Sequence, residues 1–563
     1  MTRLAVLFLA GSLLAGCPDS GVPCAVARDC PSTQRCVNGG CVDPGLASSA
    51  LGEACRTTAD CGSGLTCDTD AQGFPGGFCT ATCTSSAGCI ASACTPVAGL
   101  SVCMPACTAD SQCRQGYGCC ATLGNVCTPL AACTPAQCTR PVVASALPPA
   151  QVQDFGTHKV NDEIPFNVPA GTGSFTIVQQ ARLATLTITF QNTLQDNSAV
   201  PLTITRPDGT VVYDDRISVN DSSPDGGTDP SGHYAFFGGS SPSTGAFTIP
   251  NTSASLDAGV PSGTWKFKVN DYAYECTILS GCNDGGTTEN TYDVSVVTTP
   301  GPGTTMDVAF YIVTDAFSEA NAGTDPSVQR MVQTFKGIYA QAGITVNPVF
   351  HDVSATDKAR FGTNISATTT GPCDDLSQMF TLSSAHPGNT MNLFLVQSLR
   401  DASGGGGGTV VGIDGTIPGP ASYNGTVQSG AVVSAADLFA LTSGCGGGVN
   451  IGGCGADRVA YIAAHETGHF LGLFHTTESS GSDFDPLVDT PKCPCLSCAS
   501  PTDLPNCTST SNPPFISASR CLGTPPGCGG GNNLMFWFLQ TGASAGALSA
   551  EQIRVMRLSP LVH

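Results

Sequence analysis

A chain of 563 residues is long enough for three or more domains. Charged residues make up only 12% of it while glycine (67) and proline (39) are abundant, which excludes a helical cytosolic composition and suits a loop-rich, β-rich exported protein. The net charge of -21 argues against a nucleic-acid partner, whose phosphates would be repelled, and is read as a solubility feature.

At the start of the chain Arg3 precedes an apolar run over residues 4–14, too short to span a bilayer comfortably and placed as the core of a secretory signal. The run ends in Leu14-Ala15-Gly16-Cys17, which resembles a bacterial lipobox. That resemblance implies a lipoprotein signal peptide over 1–16 and lipidation of Cys17. Acyl chains would then hold an exported protein at a membrane of the cell envelope, and ordinary cleavage nearby would give a secreted one. No other stretch is apolar for long enough to cross a membrane.

Residues 17–138 form a cysteine-rich repeat region. Cys24, Cys30 and Cys36 are six apart, as are Cys55, Cys61 and Cys67, and Cys107, Cys113 and Cys119; Cys83, Cys89 and Cys94 are a slightly shortened copy. Modules this small bury little core and depend on disulfide staples, and the absence of C-x2-C pairs argues against zinc ribbons. Of the 31 cysteines, nineteen lie from Cys24 to Cys138 and eleven beyond, Cys17 set aside. Both counts are odd, so either one bridge joins the regions or free thiols exist.

Residues 139–152, with Pro141, Pro148 and Pro149, read as a linker. From 153 to 298 the pattern is strand after strand. Period-two alternation runs over 175–178, 186–190, 202–204, 211–213, 263–271 and 292–296, with a turn at Pro207-Asp208-Gly209, and predicts an all-β sandwich. It resembles the accessory sandwiches of the proprotein-convertase P-domain type. The Asp/Gly-rich loop 221–229 is either a calcium site or simply a turn.

The last segment, 299–563, begins in α/β style. Residues 306–313 read as a buried strand, and a helix comes next with Asp325 as N-cap, Pro326 in its first turn and Gly343 closing it. Val328, Met331, Val332, Phe335 and Tyr339 keep the stripe that packs on a sheet. Strands are expected over 344–350 and 391–396, and the glycine run 404–408 reads as a flexible connection.

His465-Glu466-Thr467-Gly468-His469-Phe470-Leu471-Gly472-Leu473-Phe474-His475 carries the chemistry. On a helix His465 and His469 project from one face, one turn apart. Gly472 supplies a left-handed turn that brings His475 round. Three imidazoles hold zinc and leave a fourth position open, with Glu466 beside them as general base for a metal-activated water. Only 8 histidines occur in the chain, and three stand here.

This HExxHxxGxxH stretch resembles the metzincin clan of metallopeptidases. The resemblance implies a sheet above the cleft, a methionine turn beneath the metal at Asn533-Leu534-Met535-Phe536-Trp537, and a substrate strand added to the sheet's edge, placed at Gly430, Ala431 and Val432. Val488-Asp489-Thr490-Pro491, the cysteines between Cys493 and Cys528, and a closing helix capped by Ser549 resemble the pappalysin family. One departure stands out: Trp537 occupies a position where pappalysins carry tyrosine, and an indole cannot ligate zinc.

The expected architecture is therefore multidomain: disulfide-rich modules, an all-β sandwich, then an α/β metzincin-like zinc peptidase domain with an irregular disulfide-bonded C-terminal part. The expected activity is zinc-dependent endopeptide hydrolysis of extended protein or peptide substrates. A cell-surface binding or adhesion protein with a vestigial peptidase domain is the alternative, and release of the enzyme from its own anchor a third.

Overall fold

The computed structural model describes residues 35–37, 40–42, 50–69, 74, 76–83, 89, 92–97, 100–107, 112–114, 117–120, 125–129, 143–144, 150–182, 197–214, 244–277, 281–284, 291–363, 365–367, 375–400, 410–509, 515–539 and 546–563. The signal segment, Cys17, Cys24, Cys30, Cys373, the strand expected over 186–190, the acidic loop 221–229 and the glycine run 404–408 lie outside these residues.

Three copies of one stapled module are described near the N-terminus. Each has a hairpin: Thr66–Asp68 with Phe78–Thr80, Ser92–Val97 with Leu100–Pro105, and Tyr117–Cys120 with Val126–Pro129. In each, the first cysteine of the six-residue spacing bonds the third, and the second bonds a cysteine on the returning strand. The pairs are Cys55–Cys67 with Cys61–Cys79, Cys83–Cys94 with Cys89–Cys103, and Cys107–Cys119 with Cys113–Cys127. Sulfurs spent on each other are not metal ligands. A small shared core of Phe74, Phe78, Val102, Met104, Tyr117 and Val126 runs through the modules, so they stack rather than hang separately.

The β-rich segment is a two-layer sandwich. Its strands are β1 (Gln151–Lys159), β2 (Glu163–Val168), β3 (Ser174–Arg182), β4 (Asn197–Thr205), β5 (Val211–Asp214), β6 (Thr244–Ile249), β7 (Gly263–Thr277), β8 (Gly281–Asp284) and β9 (Thr291–Thr299). One sheet has the order β1-β9-β3-β6, the other β2-β7-β4-β5 with β8 on β7, all antiparallel. Strand β2 shows how the sequence dictates this: Ile164, Phe166 and Val168 face inward while Glu163, Pro165 and Asn167 stay in solvent. Trp265, Phe175 and Phe267 fill the space between the layers.

The sandwich is joined closely to the α/β domain on its C-terminal side. Helix α1 (Ser253–Ala258), between β6 and β7, places Leu256 in the core of that domain. Ser253 Oγ accepts from the Val488 N–H at 2.9 Å and donates to Glu551 at 2.5 Å, and Arg554 Nη2 donates to the Leu256 carbonyl at 2.7 Å. The segment expected to be a plain linker departs from that reading: Val143–Ala144 pairs antiparallel with Tyr423–Asn424 of the α/β domain.

The α/β domain contains β10 (Thr305–Ile312), α2 (Pro326–Ala340), β11 (Thr345–Asp352), β12 (Thr390–Val396), β13 (Gly412–Asp414), β14 (Ala431–Ser434), α3 (Gly455–Phe470) and α4 (Ala550–Leu558). Its sheet order is β11-β10-β12-β14-β13, with β13 antiparallel and the rest parallel. Asp325 caps α2 by accepting from the Ser327 and Val328 N–H groups, Pro326 opens it, and Gly343 lies just past its end at φ +68. Its buried stripe Val328, Met331, Phe335 and Tyr339 meets the sheet and α3. Tyr339 donates to the Ala464 carbonyl at 2.9 Å, and Arg330 and Thr334 converge on Asp457 in the first turn of α3.

The edge strand needs correcting. Gly430, Ala431 and Val432 were expected at the sheet's rim, but Ala431–Ser434 lies inside, between β12 and β13, and is fully buried. The rim belongs to Gly412–Asp414. A short apolar strand packed on both faces reads locally like any other, and only the antiparallel hairpin that adds β13 outside it reveals its place.

Beyond α3 the chain is largely irregular. Disulfides Cys493–Cys521, Cys495–Cys507 and Cys498–Cys528 replace a conventional core there, and Cys445–Cys454 pins the start of α3. Ten disulfides among the described residues fit an exported protein formed in an oxidising compartment. Among these residues no helix is long and apolar enough to cross a membrane.

Candidate metal centre

Helix α3 runs through Phe470 with His465 and His469 on one face. It is buried almost all round, and its position is fixed at both ends. At its start, buried Asp457 accepts from Arg330, from Thr334 and from the Asn450 N–H at 2.7 Å. At its end, Gly472 takes φ +105, where an L side chain would be strained, and the chain turns to bring His475 back beside the helix.

The three imidazoles converge. Nε2 of His465 lies 3.1 Å from that of His469 and 3.2 Å from that of His475, and the His469–His475 pair is 3.1 Å apart. Tautomers are set by the other nitrogens. His465 Nδ1 faces the Leu534 carbonyl at 2.7 Å and His469 Nδ1 the Leu473 carbonyl at 2.7 Å; a carbonyl only accepts, so both Nδ1 atoms carry the proton. His475 Nδ1 donates to Glu478 Oε1 at 2.9 Å. Burial, then the neighbouring imidazoles, hold His465 down to about 3 and His469 well below the usual histidine range, so neither ring takes a second proton.

With the Nδ1 atoms turned to acceptors, the three Nε2 atoms are free to present their lone pairs to one focus. Such an arrangement is repulsive unless a cation sits at the focus. Tetrahedral zinc with Zn–N bonds of about 2.0–2.1 Å asks for nitrogens about 3.3 Å apart, close to what is seen. Among the described residues these three histidines are the one possible metal site not made of disulfide cysteines, and no fourth side-chain ligand joins them. The donor set fits a zinc ion with an open position.

Met535 lies beneath. It is fully buried, and a Cβ on Gly468 would stand 2.5 Å from its sulfur, so the glycine of the motif lets the thioether pass under the helix. The Met535 carbonyl also accepts from the Thr476 N–H at 2.9 Å, tying the turn to the segment just after His475. Trp537 faces elsewhere: its indole donates to the Ile516 carbonyl at 2.7 Å, between the rings of Phe515 and Phe538.

Glu466 is buried against the edge strand. A Cβ on Gly412 would meet Glu466 Oε1 at 2.5 Å and Ile462 Cγ2 at 2.7 Å, so only glycine leaves room for the carboxylate in this place. The Asp414 backbone N–H donates to Glu466, while burial and then the charge of Asp414 raise Glu466 well above the usual carboxylate range. Asp414 itself is pushed up to about 7, chiefly by burial. Three residues of this site, Glu478, Gly412 and Asp414, are not singled out by the sequence motif. Glu478 could have been found as an acid three residues past the last ligand; Gly412 and Asp414 carried no local signal.

Of the elements resembling pappalysins, Asp489 accepts from the Glu551 N–H at 2.9 Å and so caps α4. Thr490 donates to the Leu487 carbonyl at 2.8 Å. Buried Asp485 is met by Lys492, which also donates to Thr490 at 2.7 Å. The unit fixes the chain leading away from the metal.

No protein-family model matches this chain, and no curated protein matches it significantly. Among solved structures it is similar to archaemetzincin from Methanopyrus kandleri, at 17% identity and a TM-score of 0.21 over 32% of this chain and 83% of that one. It is also similar to metalloproteinase-II from Bacteroides fragilis, at 13% identity and a TM-score of 0.19 over 38% of this chain and 59% of that one. The second match thus spans under two thirds of that protein. Likeness at this level carries no weight for fold or activity, and the function is read from the histidine geometry.

Proposed function

We propose that the chain is a zinc-dependent endopeptidase of metzincin kind, pappalysin-like in the segment after its zinc motif. The observation that carries this is the convergence of three imidazole Nε2 atoms, with the buried carboxylate of Glu466 outside their cluster. His465, His469 and His475 would hold the ion, which when bound lowers the pKa of a coordinated water toward about 7 and polarises a substrate carbonyl. Glu466 would take the proton from the attacking water and pass it to the departing amine, with no covalent acyl-enzyme. The Leu534 and Leu473 carbonyls and Glu478 keep the imidazoles in the ligating tautomer. Gly412–Asp414, at the rim, offers main-chain groups along which an extended segment would lie.

The protein is further proposed to work outside the cytosol, held at a membrane by lipid on Cys17, with the stapled modules as spacer or binding array. Incubating purified protein with a peptide library, with and without chelator, tests the reading. Cleavage that the chelator abolishes and zinc restores is expected. A zinc-loaded protein that cleaves nothing would instead favour the adhesion alternative.

A further inference from the structure

The stapled segment beyond α3 carries an exposed cluster of rings that the hydrolytic scheme leaves unused. Phe515 is 56% exposed and Phe538 43%, and the indole of Trp537 lies between them, its ring centre 5.6 Å from the first and 5.2 Å from the second. Large apolar side chains grouped in water are costly, and such a patch marks a surface that something covers. Leu496 and Leu522 of the same segment also stand in solvent. The backbone beneath is fixed by Cys493–Cys521, Cys495–Cys507 and Cys498–Cys528, so the rings are held outward before any contact is made. Trp537 already gives its indole N–H to the Ile516 carbonyl at 2.7 Å, and so carries no unsatisfied donor into an apolar medium.

Charge says what the cover is. From residue 493 to residue 550 the sequence holds one acid, Asp503, and one base, Arg520, whereas the chain as a whole carries -21. Anionic headgroups would hold off an acidic surface, but this segment has no net charge to be repelled and little charge to be stripped of water. A protein partner is met instead by an apolar centre with a polar and charged rim. An almost uncharged surface tipped with rings suits the boundary of a bilayer, where aromatic side chains gather at headgroup level.

We propose that the Phe515, Trp537 and Phe538 cluster docks on a lipid bilayer surface, with its rings buried at headgroup level. The contact is separate from an acyl group on Cys17 and does not depend on the zinc centre being a peptidase. A chain held in this way would keep its metal site at a set orientation to the membrane.

The test uses the full chain carrying Cys17→Ser, so that no acyl anchor takes part, mixed with vesicles of phosphatidylcholine. The chain has two tryptophans, and Trp265 is sealed in the sandwich core, so a change of emission on binding reports Trp537. The protein should float with the vesicles, and lipid brominated on its acyl chains should quench the emission. Raised salt should leave both effects in place, because apolar burial rather than charge holds the contact. Phe515→Ser combined with Phe538→Ser should weaken vesicle binding by about tenfold or more, with zinc content unchanged. A chain that ignores the vesicles, binding that disappears at high salt, or binding that survives loss of both rings overturns the proposal. Slower cleavage of a protein substrate by the double variant, without vesicle binding by its parent, would assign the rings to a protein partner and equally overturns it. The quenching of the parent chain decides the matter even where the double variant fails to fold.

Discussion

Each side chain at the metal site has its own reason to be where it is, and these reasons predict different losses. Glu466 lies outside the cluster of possible metal ligands, so Glu466→Gln should keep zinc content near one per chain while peptide cleavage falls by about 10²–10⁴-fold; metal analysis beside a peptidase assay checks both halves. The Glu478 carboxylate meets His475 at Nδ1, 2.9 Å away. Glu478→Ala frees that ring and should weaken zinc binding by about 10–100-fold, read by competition with a chromogenic chelator, and added zinc should restore cleavage. An unchanged affinity would mean that backbone packing alone orients His475. The convergence of His465, His469 and His475 was legible in the sequence because the helix pitch and one glycine fix their spacing. Glu478 was legible in principle, since a carboxylate near a ligating imidazole is a common partner.

At the level of elements, what the sequence showed and what it hid divide along a physical line. Helix α2 could be read from its cap, its proline and its stripe, because all three are local consequences of helix geometry. The order of strands in the sheet could not, because it depends on which backbone edge is left unpaired. Gly412–Asp414 is three residues long, has no alternating pattern, and comes after a glycine-rich stretch. Its assignment as rim leads to a prediction. Gly412→Leu inserts a side chain where Glu466 Oε1 would lie 2.5 Å from the new Cβ. The flexible end of the glutamate should give way, so cleavage drops at least about tenfold with zinc content unchanged, in contrast to a metal-ligand variant. The opposite signature is expected at the start of α3. Asp457 is fully buried and Arg330 is its ion-pair partner at 2.7 Å. Arg330→Met strands a buried carboxylate and should cost about 3–5 kcal/mol of stability, seen as a lowered unfolding temperature by calorimetry.

For the molecule as a whole, composition pointed to domains strung along a chain, yet the sandwich and the α/β domain share packing. Leu256 of α1 sits 5% exposed within the core of the α/β domain, in the same cluster as residues of β10, α2 and α4. Ser253 bridges the post-zinc segment and α4 through Val488 and Glu551, and Ser174 donates to the Leu558 carbonyl from the sandwich's inner strand. These contacts fall on the two segments, 486–490 and 550–558, that close the domain below the metal. A boundary drawn at residue 299, where the sequence pattern changes, would therefore cut through a core. Residues 150–563 should give a soluble protein that binds zinc with the affinity of the full chain. Residues 299–563 should be poorly soluble, or unfold at markedly lower temperature, because the surface covered by Leu256 and its neighbours is left open to water. Expressing both lengths, and following zinc affinity and calorimetric unfolding, decides it. A shorter fragment as stable and as tight for zinc as the longer one would show the sandwich to be a passenger. The variant Leu256→Asp in the longer fragment tests the same interface without truncation, since it puts a carboxylate in place of an apolar side chain that is buried in the core and should separate the two unfolding transitions.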